Sequence, residues 1–287
     1  MLNRLSFFLS VCVLVIATAC GHTSRSSSPS PAPALPPLPA SGYKKLRIGL
    51  ATNYPPLAFE QEGKVRGIEV DFARQLRADT HIDTEIVTLP WEDLIPALQS
   101  DRIDVIMSGM SMTKSRARQV TFIRPYMRVG QMCLIRAEDI SRLASAGELF
   151  RRRWKIGFIN GTTGEYFARK ELRRSSLTGF DSIPDGVAAL HDQRIDYFIH
   201  DAPTIWRITT DPVYRDDQLL GLFQRLTDEY LAWAIRKDDV RLKAFLDTVI
   251  KRWKANGTLQ RVIDRWIKVR LELRPADALQ GESGSIP

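Results

Sequence analysis

"DVIMSGMSMTKSRARQVTF", residues 104–122, begins as an apolar strand at Val105, Ile106 and Met107, then empties into Ser108, Gly109, Met110 and Ser111 before Thr113, Lys114, Ser115 and Arg116. Thr113 reads as the cap of a following turn whose free backbone N–H groups point outward. Arg116, three residues on, carries a planar guanidinium fork suited to a carboxylate. Taken alone, this strand end is either an anion seat or an ordinary cap followed by a surface arginine.

Upstream, "KKLRIGLAT" is an apolar strand, "GIEVDFARQLRAD" sets Ile68, Phe72 and Leu76 on one helical face, "TEIVTL" returns to strand, and "WEDLIPALQS" gives a second helix. Strand, helix, strand, helix, strand is the pattern of a parallel sheet with helices on both faces. Downstream the rhythm restarts: "KIGFI" strand, "TGEYFARKEL" helix, "TGFDSI" strand, "PDGVAALHDQ" helix, "DYFIH" strand, "APTIWRIT" helix. "EYLAWAIR" then reads as one strand, and residues 239–268 as two helices parted by Gly257, with Trp253 and Trp266 on apolar faces. Two α/β units predict a cleft between them, with the ligand beyond the carboxyl ends of the strands.

Two further strand ends repeat the device of the first. "GFINGTTGEYF" passes from strand through Gly161, Thr162, Thr163 and Gly164 into a helix, without the Gly-x4-Gly-Lys pattern of a phosphate loop. "DYFIHDAP" delivers Asp201 directly after an apolar strand and before a helix opened by Pro203; it is either a helix cap or a carboxylate aimed at an ammonium. A cationic fork on one unit and an anionic oxygen on the other together match an amino-acid zwitterion.

The 287 residues and 44% apolar content are enough for one large or two modest domains. The net charge of +8 is spread along the chain, with runs only at Arg151 to Arg153 and Arg173 to Arg174, which argues against nucleic-acid binding and for anionic or zwitterionic ligands and anionic lipid surfaces. Residues 1–20, "MLNRLSFFLSVCVLVIATAC", read as an export signal, too short an apolar run for a convincing span. Its "ATAC" ending resembles a lipobox that would acylate Cys20, while Ala17-Thr18-Ala19 also fits ordinary signal peptidase. Residues 21–42, rich in Ser and Pro, form a tether, and 271–287 a polar tail. Removal of Cys12 and acylation of Cys20 leave Cys133 as a lone thiol in an apolar strand, a small core residue. The four His and three Cys show no metal-ligand spacing, and no metal or cofactor is expected.

Over roughly residues 44–270 the body resembles the family 3 extracellular solute-binding proteins, the polar amino-acid receptors of ABC importers. The resemblance rests on "NYPPLAF", "GIEVDFARQL", "WEDLIPALQSDRIDVIMSGMSMTKSRARQVTFIRPY", "GTTGE", "DYFIHDAP" and "KANGTLQRVIDRW", in order. It implies an α/β, type II periplasmic binding protein: lobe 1 (44–130 plus 230–270) and lobe 2 (131–229), joined by a two-segment hinge near Tyr126 to Gly130 and Asp228 to Ala232. It also implies an extracytoplasmic monomer, lipid-anchored where Cys20 is acylated, that hands its amino acid to ABC permease subunits.

By the same resemblance Arg116 grips the ligand carboxylate with Ser111 and Thr163, and Asp201 takes the ammonium with the Gly109 carbonyl and the Ser111 hydroxyl. Tyr54 and Trp91 sandwich the side chain, Ser108 and Thr162 in the strand-end loops are further ligand-binding candidates, and His200 matches a histidine of glutamine-type receptors or is structural. Two positions depart from the family. Leu57 stands where Phe follows "PP", with Phe59 two residues on, and Ile159 stands where relatives carry a polar contact. The chief rival is a cyclohexadienyl dehydratase on the same fold, which needs a proton donor in the cleft; Glu69 and Glu165 are the candidates. A free-standing amino-acid sensor is the third reading.

Overall fold

Lys45–Leu50 pairs in parallel with Asp83–Thr88 on one side and Val105–Ile106 on the other, Ile48 standing opposite both Ile86 and Val105. The computed structural model describes residues 40–268 except 144–146, 212–214 and 223, all within one compact unit. The export signal, Cys20, nearly all of the tether and the 271–287 tail lie outside the described residues. Ala234–Ile235 and Thr121–Phe122 complete this first five-stranded sheet by antiparallel pairing.

The strand Lys45–Leu50 alternates at its start and is then buried on both faces, because helices cover each side of the sheet. Helix Ile68–Thr80 turns Ile68, Val70, Phe72, Ala73 and Leu76 inward. Helix Val240–Ala255, capped by the Asp239 carboxylate on the Leu242 amide, packs on the same face with Leu242, Phe245, Leu246, Val249, Ile250 and Trp253. Phe72 stacks on Trp253 with centroids 5.6 Å apart and meets Trp233 edge-on. Truncating Phe72 to Ala would cost about 3–5 kcal/mol in such a setting. Trp253 is core as expected, and the half-buried Trp266 of helix Thr258–Trp266 donates to Asp71 at 3.0 Å.

The second sheet repeats the plan. Its order is Ser176–Phe180, Lys155–Ile159, Tyr197–Asp201, Gln131–Arg136, Leu219–Leu222, the first three parallel and Gln131–Arg136 antiparallel to both its neighbours. Helices Thr163–Glu171, Ile183–His191 and Ala202–Thr210 cover it. Cys133 is buried in this core, and burial pushes its thiol far above the usual range, in keeping with an inert packing role.

The chain passes from the first sheet to the second through Met127–Val129 and returns through Glu229–Leu231, and these two segments pair antiparallel with Val129 opposite Glu229. "EYLAWAIR" is thus not one strand. Its Glu229–Leu231 part pairs with the outgoing segment, and Ala234–Ile235 enters the first sheet. "WEDLIPALQS" also divides, into a 3-10 turn at Trp91–Asp93 and a helix at Leu94–Gln99. A small antiparallel sheet of Asn53–Tyr54, Ala58–Gln61 and Lys64–Arg66 appears where the sequence pattern gave no strand signal, its members being two to four residues long. Among the described residues no helix is long and apolar enough to cross a membrane, and no cluster of three metal-ligating side chains occurs.

Candidate functional site

The carboxyl ends of the two sheets face a cleft of about 360 Å³ lined from both sides. Gly109, Ser111, Arg116, Tyr54, Trp91, Thr162, Thr163, His200 and Asp201 all line it; Ser108 does not. The Ser108 hydroxyl instead accepts the Ala51 amide at 2.9 Å, tying the ends of two neighbouring strands together.

At the first strand end, Gly109 has φ +64°, a conformation that only glycine adopts without strain, and a Cβ there would stand 2.6 Å from the Tyr54 ring. Its amide donates to Glu69 Oε1 at 2.8 Å. Glu69 is 0% exposed, and its oxygens also accept the Tyr126 hydroxyl and the Trp233 indole N–H. Burial pushes the Glu69 carboxyl up to about 7, against the three hydrogen bonds. Thr113 caps the short helix Lys114–Ala117 by accepting the Arg116 amide at 3.1 Å.

The Arg116 guanidinium lies 5.0 Å over the Trp91 ring and donates to the Ser111 carbonyl at 3.0 Å. It also reaches across the cleft to the Gly161 carbonyl at 3.2 Å, which the Trp91 indole shares at 3.1 Å. Burial pulls the Arg116 guanidinium below its ordinary value, and the charges of Asp201 and Glu229 oppose the shift.

At the second end Gly161 adopts φ +72° and turns its carbonyl to those two donors. The Thr162 hydroxyl is occupied locally, donating to the Ile159 carbonyl at 2.7 Å and capping helix Thr163–Glu171. Glu165 accepts the Gly161 amide at 2.7 Å and pairs with Arg169. Neither Glu165 nor Glu69 lines the cleft.

At the third end Asp201 is 7% exposed and makes no side-chain cap bond to the helix Ala202–Thr210 that follows it. Its oxygens accept Tyr54 Oη and Gln131 Nε2 instead. Burial pushes the Asp201 carboxyl up to about 7, reinforced by the charge of Glu229 and opposed by Tyr54, Gln131 and Arg116. His200 is held neutral, burial drawing it down to about 4, and its Nδ1 accepts the Asp201 amide at 2.8 Å. Tyr54 meets the His200 ring edge-on at 5.3 Å. Leu57 is fully buried, and Phe59 lies under Arg207 at 4.2 Å, so neither lines the cleft; Ile159 does.

Sequence reading missed several lining residues: Gln131, Asn53, Asn160, Glu92 and Asp181. Gln131 connects Asp201 to Thr163 Oγ1 at 3.0 Å, and as the one polar side chain opening the run "QMCLI" it carried a readable signal. Asp181 follows strand Ser176–Phe180 directly, a fourth strand end of the same kind, and accepts Asn160 Nδ2 at 2.8 Å. Chemically, the cleft sets a guanidinium and a buried carboxyl at opposite walls, with two further acids, Glu92 and Asp181, in its lining.

The model of "Bacterial extracellular solute-binding proteins, family 3" matches residues 46–269. The chain is 27% identical to ABC transporter arginine-binding protein 1 of Escherichia coli (strain K12), over 79% of this chain and 92% of that one. Among solved structures it is similar to a putative ABC-transporter binding component of Wolinella succinogenes DSM 1740 complexed with lysine, with TM-score 0.71, 27% identity, and 83% and 99% of the two chains covered. It is likewise similar to an ancestral amino-acid-binding protein described as a precursor of cyclohexadienyl dehydratase, with TM-score 0.69, 28% identity, and 78% and 95% covered. Two α/β sheets joined by paired crossing segments, as in these neighbours, are the type II periplasmic binding protein fold. The chain belongs to family 3 of the bacterial extracellular solute-binding proteins.

Proposed function

We propose that this chain is an extracytoplasmic receptor that captures a polar amino acid between two lobes and delivers it to an ABC-type permease. The observation that carries the reading is the placement of Arg116 and Asp201 on opposite walls of one cleft, each within reach of the other's charge. The ligand carboxylate sits on Arg116, helped by Ser111 and Thr163. The ammonium sits on Asp201, which Tyr54 and Gln131 orient, with the Gly109 carbonyl beside it. Charge-assisted bonds of about 1.5–3 kcal/mol each are enough for micromolar binding, about −8 kcal/mol, once the costs of association are met.

Lobe 1 comprises 44–130 and 230–270, lobe 2 comprises 131–229, and the segments near Tyr126 to Gly130 and Asp228 to Ala232 are the hinge. A zwitterion bridging the lobes stabilises the closed form, the state a permease reads. The contacts of Arg116 and Trp91 with the Gly161 carbonyl support this, since they span the cleft. With the zwitterion's two charges matched, Glu92 and Asp181 remain for the side chain, which favours a cationic one. The ligands named for two relatives, arginine and lysine, agree.

The dehydratase reading has less support, because neither candidate proton donor, Glu69 or Glu165, lines the cleft. Export through residues 1–20, lipid anchoring at Cys20 and a monomeric state complete the proposal on sequence grounds. Calorimetric titration of the purified protein with the twenty amino acids tests it. Tightest binding of a cationic amino acid, weakened by Glu92→Gln and Asp181→Asn, is expected. Absence of binding by any amino acid, or formation of phenylpyruvate from prephenate, would overturn it.

A further inference from the structure

Two arginine runs some twenty residues apart in sequence, Arg151 to Arg153 and Arg173 to Arg174, end side by side. The parallel register that places Lys155 beside Ser176 brings them together. The Trp154 amide donates to Ser175 Oγ at 3.2 Å, and the Ser176 amide donates back to the Trp154 carbonyl at 2.8 Å. Arg142 joins from another segment, its guanidinium 5.6 Å over the Trp154 ring.

All five arginines of the two runs are exposed, and the neighbouring carboxylates already have partners. Glu148 pairs with Arg151, Glu171 with Lys170, and Asp196 with Arg136 and Arg142. Among the described residues Arg152, Arg153, Arg173 and Arg174 make no ion pair. Acids and bases nearly balance across 131–229, so this is segregated charge and not the overflow of a basic lobe. Concentrating like charges on one small surface costs self-repulsion that scattered arginines would avoid. Phe150, next to Arg151 in sequence, is 53% exposed, with one edge of its ring against Phe167 at 6.2 Å. Planar guanidinium forks match phosphate oxygens, and an exposed aromatic among cations is the composition of surfaces that rest on a lipid headgroup layer.

The cluster lies at the amino-terminal ends of the parallel strands Lys155–Ile159 and Ser176–Phe180, while the cleft lies at their carboxyl ends, about 16 Å away along a five-residue strand. We infer that this pole is a docking surface for an anionic phospholipid membrane. Resting on it, the protein turns its cleft away from the leaflet and toward solvent, the orientation for loading ligand. The inference stands on the charge distribution and Phe150, independently of which ligand the cleft holds.

The test is sedimentation of the full chain with vesicles of phosphatidylcholine alone and of phosphatidylcholine and phosphatidylglycerol in equal parts, at low and high salt. Whatever the leader contributes is common to the native chain and every variant, so the comparison between them cancels it. At low salt the native chain should prefer the anionic vesicles by about tenfold or more, and the preference should fade as salt rises. The combined variant Arg152→Gln, Arg153→Gln, Arg173→Gln, Arg174→Gln should lose it while its thermal midpoint and ligand affinity stay unchanged. Each pair of substitutions alone should remove part of it, which keeps the test valid if the fourfold variant misfolds. Undiminished preference in these variants, no preference in the native chain, or tighter association with soluble heparin than with anionic vesicles would overturn the inference.

Discussion

The Tyr54 hydroxyl donates to the Asp201 carboxyl, joining the small sheet beside the first α/β unit to the end of a central strand of the second. Tyr54 in turn packs against the Gly109 backbone, so two of the strand ends that form the cleft meet at one aromatic ring. The acceptor proposed for the ligand ammonium is therefore held in place by groups from both walls.

Arg116→Ala should weaken amino-acid binding at least tenfold, about 1.4 kcal/mol, because the ligand carboxylate is left in a half-buried cleft without its counter-charge. Arg116 hydrogen-bonds to backbone carbonyls and has no ion pair among the described residues, so the thermal midpoint of the unliganded protein should move little. Calorimetry and thermal melting separate the two effects.

Asp201 should make binding depend on pH. Burial holds its carboxyl up to about 7, and the ammonium needs the ionised form. Affinity should be level above about 7 and fall by about tenfold for each unit below it. Asp201→Asn should bind at least tenfold more weakly and show a flat profile. A profile that persists in the variant would assign the titration elsewhere.

Glu69→Gln tests the buried acid behind Gly109. A carboxyl whose folded value is raised from 4.5 to about 7 contributes stability that is complete below about 4.5 and is lost as pH rises through about 7. The stability gap between native chain and variant should therefore narrow as pH climbs through that window. A glutamine N–H would also face the Trp233 indole N–H, at a cost of about 1–3 kcal/mol. Thermal melts across the pH range check both. His200, drawn down to about 4, acts in the opposite sense, gaining stability as pH rises toward 6.5, and is common to both proteins.

Gly130→Ala should loosen the crossing segments. A Cβ there falls on the Thr227 carbonyl oxygen, well inside van der Waals contact, and backbone must yield. A lower thermal midpoint and weaker ligand binding are expected together; an unchanged midpoint would show that the segments part freely.

The parallel strands were legible because burial on both faces writes continuous apolar runs such as "DVIMS" and "DYFIH". The candidate site is legible to the extent that small and charged residues follow those runs, which picks out Arg116 and Asp201, both of which line the cleft. The strand end at Asp181 obeys the same rule but is hidden, because "TGFDSI" places its acid inside what reads as strand. Glu92 gave no pattern at all, since its approach to the cleft depends on a 3-10 turn beside Trp91 that periodicity does not encode. The division of "EYLAWAIR" between two sheets was equally silent, because both halves are apolar and only the pairing partners differ. The resemblance places Tyr54 against a ligand side chain, and its bond to Asp201 is a tertiary relationship that spacing does not carry.

The most direct test uses the amino acid that binds best and the amine left when its α-carboxylate is removed, each titrated into the native protein and into Arg116→Ala. The account predicts that the native protein prefers the intact amino acid by at least about tenfold and that this preference vanishes in the variant. A preference of undiminished size in Arg116→Ala would mean that the carboxylate rests elsewhere, and would contradict the claim that opposite walls of the cleft neutralise the two ends of one zwitterion.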